Sequence, residues 1–152
     1  MENIYPLVNF KFSLSVSTFS SDIDCGFMEV SGFSSKIEGE TYKEGGNNTS
    51  ELFFPTQVKW ENLKAKRGVI RGSSMIEWVK TSITTFKFEP KTIVVTLYDA
   101  YNTGAPAVVW TFLNAYPVGL ETSSLNSGSN NSGEILVDSI EFKHGGCTRK
   151  DS

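Results

Sequence analysis

Polar and apolar residues alternate along most of this chain. Phe10, Phe12, Leu14 and Val16 are separated by Lys11, Ser13 and Ser15, the period of a strand with one buried face. Phe27-Met28-Glu29-Val30 opens a second strand, and Gly32 interrupts it, which predicts a bulge or bend. The strand resumes from Ser35 to Thr41, with Lys36, Glu38 and Glu40 on one face and small or apolar residues on the other. Gly45 to Ser50 reads as a loop on composition. Beyond Phe53-Phe54-Pro55, Val58 and Trp60 alternate with Gln57, Lys59 and Glu61. The apolar phase then moves to Leu63 and Ala65. A one-residue slip turns every side chain over, so a bulge is expected near Glu61-Asn62.

One helix is predicted, over about 74–84. Ser74 and Glu77 have capping-box spacing, and Met75, Trp78, Val79 and Ile83 form an apolar stripe at helical spacing. Thr92 to Tyr98 and Val108 to Leu113 then read as a hairpin about a turn from Asp99 to Ala105, which carries Asn102 and Gly104. A polar loop from Ser123 to Gly133 precedes a last strand from Glu134 to His144, whose apolar phase shifts from Ile135 and Val137 to Ile140 and Phe142. Six or seven strands and one short helix predict a mainly β fold. The expected form is an antiparallel barrel or sandwich with the helix at its side and Trp78, Leu97, Trp110 and Phe112 in the core.

Composition narrows the function classes. The 152 residues suit a single domain, 1–152, long enough to bury a core without staples. A net charge of −3 argues against a surface built for nucleic acid, which needs a basic excess. Cys25 and Cys147 belong to no C-x-x-C pair and read as reduced thiols. The start, MENIYPLVNF, lacks a basic region followed by an apolar run, so no secretory signal is expected. No apolar run approaches the roughly 20 residues of a membrane span, and a chain made in the cytoplasm, without a membrane anchor, is expected.

Candidate chemistry is sparse. His144 is the single histidine, and it is followed by Gly145, Gly146 and Cys147. A metal site or a nucleophilic triad needs more partners than these, so His144 reads as a polar residue at a strand end. No G-x-S-x-G, H-E-x-x-H or P-loop occurs, and Glu44-Gly45-Gly46 lacks the Lys-Ser/Thr and the helix of a phosphate loop. Glu38 and Glu40 have the carboxylate chemistry of a glycosidase pair, but two residues apart on one strand they suit a solvated face better. No catalytic, cofactor or metal residues are therefore assigned. What remains is a long charged hairpin, about 33–66, with a basic run at Lys64, Lys66 and Arg67 and acidic residues at Glu38, Glu40 and Glu44. Opposite charges at its two ends suit contact between copies of the chain. The inter-subunit candidates are Glu44, Gly45, Gly46, Asn47, Asn48, Lys64, Lys66 and Arg67.

Several motifs occur in a telling order. They are Phe10-Lys11-Phe12, Phe27-Met28-Glu29-Val30-Ser31-Gly32-Phe33, Tyr42-Lys43-Glu44-Gly45-Gly46, Trp60-Glu61-Asn62-Leu63 with Lys66-Arg67-Gly68, and Trp78 on the helix. Val95-Thr96-Leu97-Tyr98-Asp99, Val109-Trp110-Thr111-Phe112, Asn114-Ala115-Tyr116-Pro117 and Ile140-Glu141-Phe142-Lys143-His144 follow. In this order the chain resembles the tail tube proteins of contractile phage tails and phage-like injection systems, a fold similar to the haemolysin co-regulated protein of type VI secretion. It departs from that family's pattern at Pro55-Thr56, Leu63-Lys64-Ala65 and His144-Gly145-Gly146.

The resemblance implies hexameric rings of this chain, stacked into a hollow tube inside a contractile sheath. The implied partners are further copies of itself, sheath protein, baseplate or spike, tube-terminating proteins and cargo in the lumen. The particle would be a phage tail or a released injection device. In such a tube the loop 43–56 is expected to reach the next ring. The polar faces Lys36, Glu38, Glu40 and Gln57, Lys59, Glu61 are expected to line the lumen, with Ile37, Val58 and Trp60 turned to the core. The alternative reading is a soluble ligand- or carbohydrate-binding β-sandwich, for which so long a hairpin has little use.

Overall fold

A computed structural model of the chain describes residues 11–19, 26–43, 45–46, 51–99, 104–125 and 135–151. Among these residues it has nine strands and one helix. They are β1 (Phe12–Val16), β2 (Glu29–Ser31), β3 (Ser35–Tyr42), β4 (Leu52–Trp60), β5 (Leu63–Gly68), α1 (Ser74–Thr85), β6 (Lys91–Tyr98), β7 (Pro106–Thr122), β8 (Val137–Lys143) and β9 (Gly146–Asp151). Phe10, Cys25, Glu44, Asn47, Asn48, Ser50, Asn102 and Glu134 lie outside the described residues.

The strands pair antiparallel in the order β1-β6-β7-β8-β5-β2, with β9 added beside β7. β7 is long because it serves two half-sheets. Its first part pairs with β6 and β9, and its second part with β8. The change falls at Asn114, whose φ of 52° lies in the left-handed region. A bulge between Pro117 and Gly119 follows, and bulges bend and twist a strand. The bend lets both half-sheets face one core of Leu14, Val16, Ile93, Val95 and Phe112 from one side and Leu63, Ala65, Ile140 and Phe142 from the other. Helix α1 closes this core with Met75, Trp78 and Val79, and Trp78 stacks on Phe142 at 5.6 Å.

Four expectations change. The helix cap is Ser73, one residue earlier than read, because its hydroxyl accepts from the Ile76 amide and its extended backbone ends the helix. The fourth inward residue of the helix is Ser82, not Ile83. The Ser82 hydroxyl is satisfied by the Trp78 carbonyl, which makes its burial cheap, while Ile83 is exposed. Trp110 and Leu97 are half-buried at the mouth of the core, whereas Trp78 and Phe112 are buried. Trp110 is covered there by Phe33, at 4.8 Å. Finally, the last strand starts at Val137 in a single phase, with Asp138, Ile140 and Phe142 inward, and Ile135 stands exposed before it. β9, which has a polar composition, was not foreseen.

Candidate assembly surface

The feature with no place in the core is the hairpin of β3 and β4. These strands pair only with each other. The reason lies at two facing points of the backbone. β2 and β5 run as a ladder up to Ser31 and Lys64, and β3 and β4 take it up again at Ser35 and Trp60. Between them Gly32 has a φ of 100°, and a Cβ placed on it would lie 2.0 Å from the Asn62 carbonyl oxygen. The chain therefore breaks away from the main sheet at Gly32 and Asn62 together. The phase shift expected as a bulge at Glu61-Asn62 is this break between two strands. The bulge itself sits between Glu38 and Gly39, opposite Thr56, whose hydroxyl donates to the Glu38 carbonyl at 3.0 Å.

The root of the hairpin is held by rings. His144 follows β8, as read, and lies 6.0 Å from Trp60 and 4.8 Å from Phe112. Its Nε2 donates to the Glu61 carbonyl at 2.9 Å. A side chain on Gly146 would stand against the Trp60 ring. Beyond this root the hairpin is bare on both faces. Ile37 is 58% exposed, Val58 48% and Phe53 54%. The expectation that Ile37 and Val58 turn to the core is thus corrected, because the break carries them away from it; only Trp60 is half-buried.

The polar face is internally tied. Glu38 accepts from Gln57 Nε2 at 3.1 Å and pairs with Lys59 at 3.5 Å. The hydrogen bond from Gln57, then the charge of Lys59, hold the Glu38 carboxyl below the usual carboxylate range. Lys36 stands opposite Lys59, and Glu40 opposite Phe54, where the bulge has turned the phase of β4. Glu61 lies past the strand end, exposed, and its amide donates to the Ser34 carbonyl.

The structure separates the basic run. Lys64 and Lys66 are exposed on β5, and Lys66 pairs with Glu29 at 3.5 Å. Arg67 is fully buried by the same alternation, so it leaves the set of surface contacts. Its guanidinium lies 5.3 Å from the Phe27 ring centre and hydrogen-bonds the Ser73 hydroxyl at the helix cap. Gly45 and Gly46 form an exposed turn in which Gly46 has a φ of 94°. Among the described residues no group of three His, Cys, Asp or Glu side chains is placed to hold a metal ion. Cys147 is a free thiol whose pKa is raised by burial.

This is a class of small antiparallel β protein with a two-stranded hairpin that stands apart from its main sheet. The model of the T4-like virus tail tube protein gp19 family matches residues 8–148, and the chain belongs to that family. Solved structures of the same fold include one described as the anti-feeding prophage baseplate, 6-fold symmetrised. It has a TM-score of 0.84 and 23% identity, over 97% of this chain and 97% of that one. A second comes from the sheath-tube complex of the extracellular contractile injection system PVC in its extended state, with a TM-score of 0.80 and 24% identity, over 98% of this chain and 94% of that one. A more distant one is Hcp1 from Flavobacterium johnsoniae, with a TM-score of 0.59 and 18% identity, over 94% and 97%. No functionally curated protein matches the chain.

Proposed function

We propose that copies of this tail tube protein close into hexameric rings, and that the rings stack into a hollow tube inside a contractile sheath. The tube would be made in the bacterial cytoplasm and would meet sheath, baseplate and terminating proteins at its wall and ends. Its task is mechanical. Sheath contraction drives a rigid conduit through an envelope, and cargo passes inside.

The observation that carries this reading is the hairpin. Ile37, Phe53 and Val58 form an exposed apolar face on two strands that have no third strand beside them. An isolated two-stranded hairpin is marginal in water, and an exposed apolar face of this kind marks a contact. A second copy is the occupant that a ring and a stack both require, since each needs a heterologous surface that repeats. Related chains solved in a sheath-tube complex and in a six-fold baseplate support the same arrangement.

The test is assembly. Purified protein should show rings or rods of uniform width by negative-stain microscopy. Ile37→Asp combined with Val58→Asp should leave the circular dichroism and the core melting of the protomer in place and abolish the rods. Rods of normal length from that variant would remove the hairpin face from the contact.

A further inference from the structure

The hairpin of β3 and β4 has a second face, and that face is apolar at the tip. Ile37, Val58 and Phe53 share one side, whereas Glu40 stands opposite Phe54 and Tyr42 opposite Leu52 on the other. Tyr42, Leu52 and Phe54 are all exposed. On the body of the molecule an aromatic group also lies open. Helix α1 ends at Phe86, which has a φ of 56° and is 80% exposed. That left-handed position is usually held by glycine, and here it carries a bare ring. Phe86 meets Phe88 edge-on at 5.1 Å, and Phe88 meets Tyr116 of β7 edge-on at 5.5 Å. Ile83, three residues before Phe86 on α1, is exposed as well. The charges near both groups are mostly tied within the chain. At the hairpin Lys43 pairs with Glu51 at 3.4 Å and Lys59 with Glu38 at 3.5 Å. At the helix Lys80 pairs with Glu77 and Lys91 with Glu89, both at 3.7 Å. Glu40 at the tip and Lys87 between the two phenylalanines are exposed, and neither has an ion pair among the described residues.

We infer that the tip face of Tyr42, Leu52 and Phe54 docks on the Phe86, Phe88 and Tyr116 group of a second copy, with Glu40 against Lys87; the inference rests on the reading of the hairpin as a contact between copies. A repeating contact between identical chains is heterologous, so the surface that receives the hairpin lies on the same chain. It must answer the hairpin in kind, with apolar rings and one free charge of opposite sign. The end of α1 does so. Rings gain from edge-to-face contact beyond the area they bury, and Phe54 and Tyr42 bring two more to the group. Val69, Ile70 and Ile135 are exposed too, but they are aliphatic. The charges fix the register, because a slip that set Glu40 beside another carboxylate, or Lys87 beside another ammonium group, would be repelled. Ile37, Phe53 and Val58 point the other way and need cover of their own, so the hairpin is held between two surfaces. Glu40 is thereby taken from the residues expected at the lumen.

The experiment uses the full chain in a Cys25→Ser, Cys147→Ser background, with Phe54→Cys and Phe88→Cys added together. Oxidation of the assembled tubes should link each chain to the next, so a non-reducing gel should show a ladder of multimers that collapses on reduction. A control with Ile70→Cys in place of Phe88→Cys should stay monomeric on the gel. Monomers alone from the first variant, or an equal ladder from the control, overturns the docking. A second arm decides where the paired cysteines prevent assembly. Glu40→Lys and Lys87→Glu, each alone, should raise the protein concentration at which rods sediment by about fivefold, and the two together should bring it back toward the parent value. A double reversal no better than the worse single one, or single reversals without effect, overturns the contact of Glu40 with Lys87 and the docking with it. Rods from the parent chain beside either failure leave the stacked-ring reading standing and remove this docking alone. If the parent chain forms no rods at all, the stacked-ring reading falls first and the docking with it.

Discussion

At the scale of single residues, side chains here act by where the backbone alternation aims them. Lys64, Lys66 and Arg67 are neighbours of one chemical type, yet Arg67 alone is carried inward, to the Phe27 ring and the Ser73 cap. The Glu38 carboxyl is shifted downward, first by the Gln57 hydrogen bond and then by Lys59. A carboxylate whose folded pKa is depressed contributes stability above its unfolded value and loses it as pH falls through the folded one. The Glu38 cross-strand tie should therefore open at a lower pH than an unpaired glutamate would titrate. Carboxyl-carbon NMR of the protomer should give Glu38 a midpoint below that of an unstructured glutamate. Gln57→Ala should raise that midpoint more than Lys59→Ala. A midpoint at the ordinary value in the unaltered chain would show that the tie is not kept in solution.

At the scale of elements, the decisive feature is a pair of strands that stops and restarts. β2-β5 and β3-β4 are one broken hairpin, and Gly32 makes the break possible. A left-handed conformation costs a residue with a Cβ about 1–2 kcal/mol. At Gly32 the Cβ also meets a backbone oxygen, which cannot swing aside. Gly72 provides the control, with a φ of 77° and open space around it. In urea titrations Gly32→Ala should cost about 3 kcal/mol or more, and Gly72→Ala about 1 kcal/mol. Equal costs would mean that the close approach of Gly32 to Asn62 is absent in solution.

At the scale of the whole molecule, the core and the hairpin are distinct parts. The core lies between the half-sheets and α1, while the hairpin touches the body at its root through Trp60, Glu61 and Phe33. Shortening the hairpin tip should therefore spare the protomer. Deleting Asn47 to Ser50 is predicted to leave melting within about 1 kcal/mol of the parent, as for a surface change away from the core. The same deletion is predicted to stop rings from stacking, so microscopy should show single rings and no rods. Long rods from the deletion variant would show that axial contact lies elsewhere.

Much of this was legible in the sequence, and the reasons are local. Period-two alternation is a property of the strand itself, so β1, β3, β4, β6 and the inner residues of β5 and β8 could be read directly. The Gly32 interruption and the helical spacing that places α1 are local signals too. The sequence order of the motifs also carried the family, which a collinear set specifies better than any one piece. Tertiary structure alone decided which face of a strand has a partner. Ile37 and Val58 read as core because alternation marks a face and does not say what covers it. Gly32 and Asn62, thirty residues apart in the chain, meet and turn that face to solvent. β9 was hidden because its Thr148, Arg149, Lys150 and Asp151 are held by the ladder to β7 and not by a buried side of their own. The open aromatic group was hidden too. Phe86 and Phe88 follow the helix and Tyr116 belongs to β7, and only the packing of α1 beside that strand brings the three rings together.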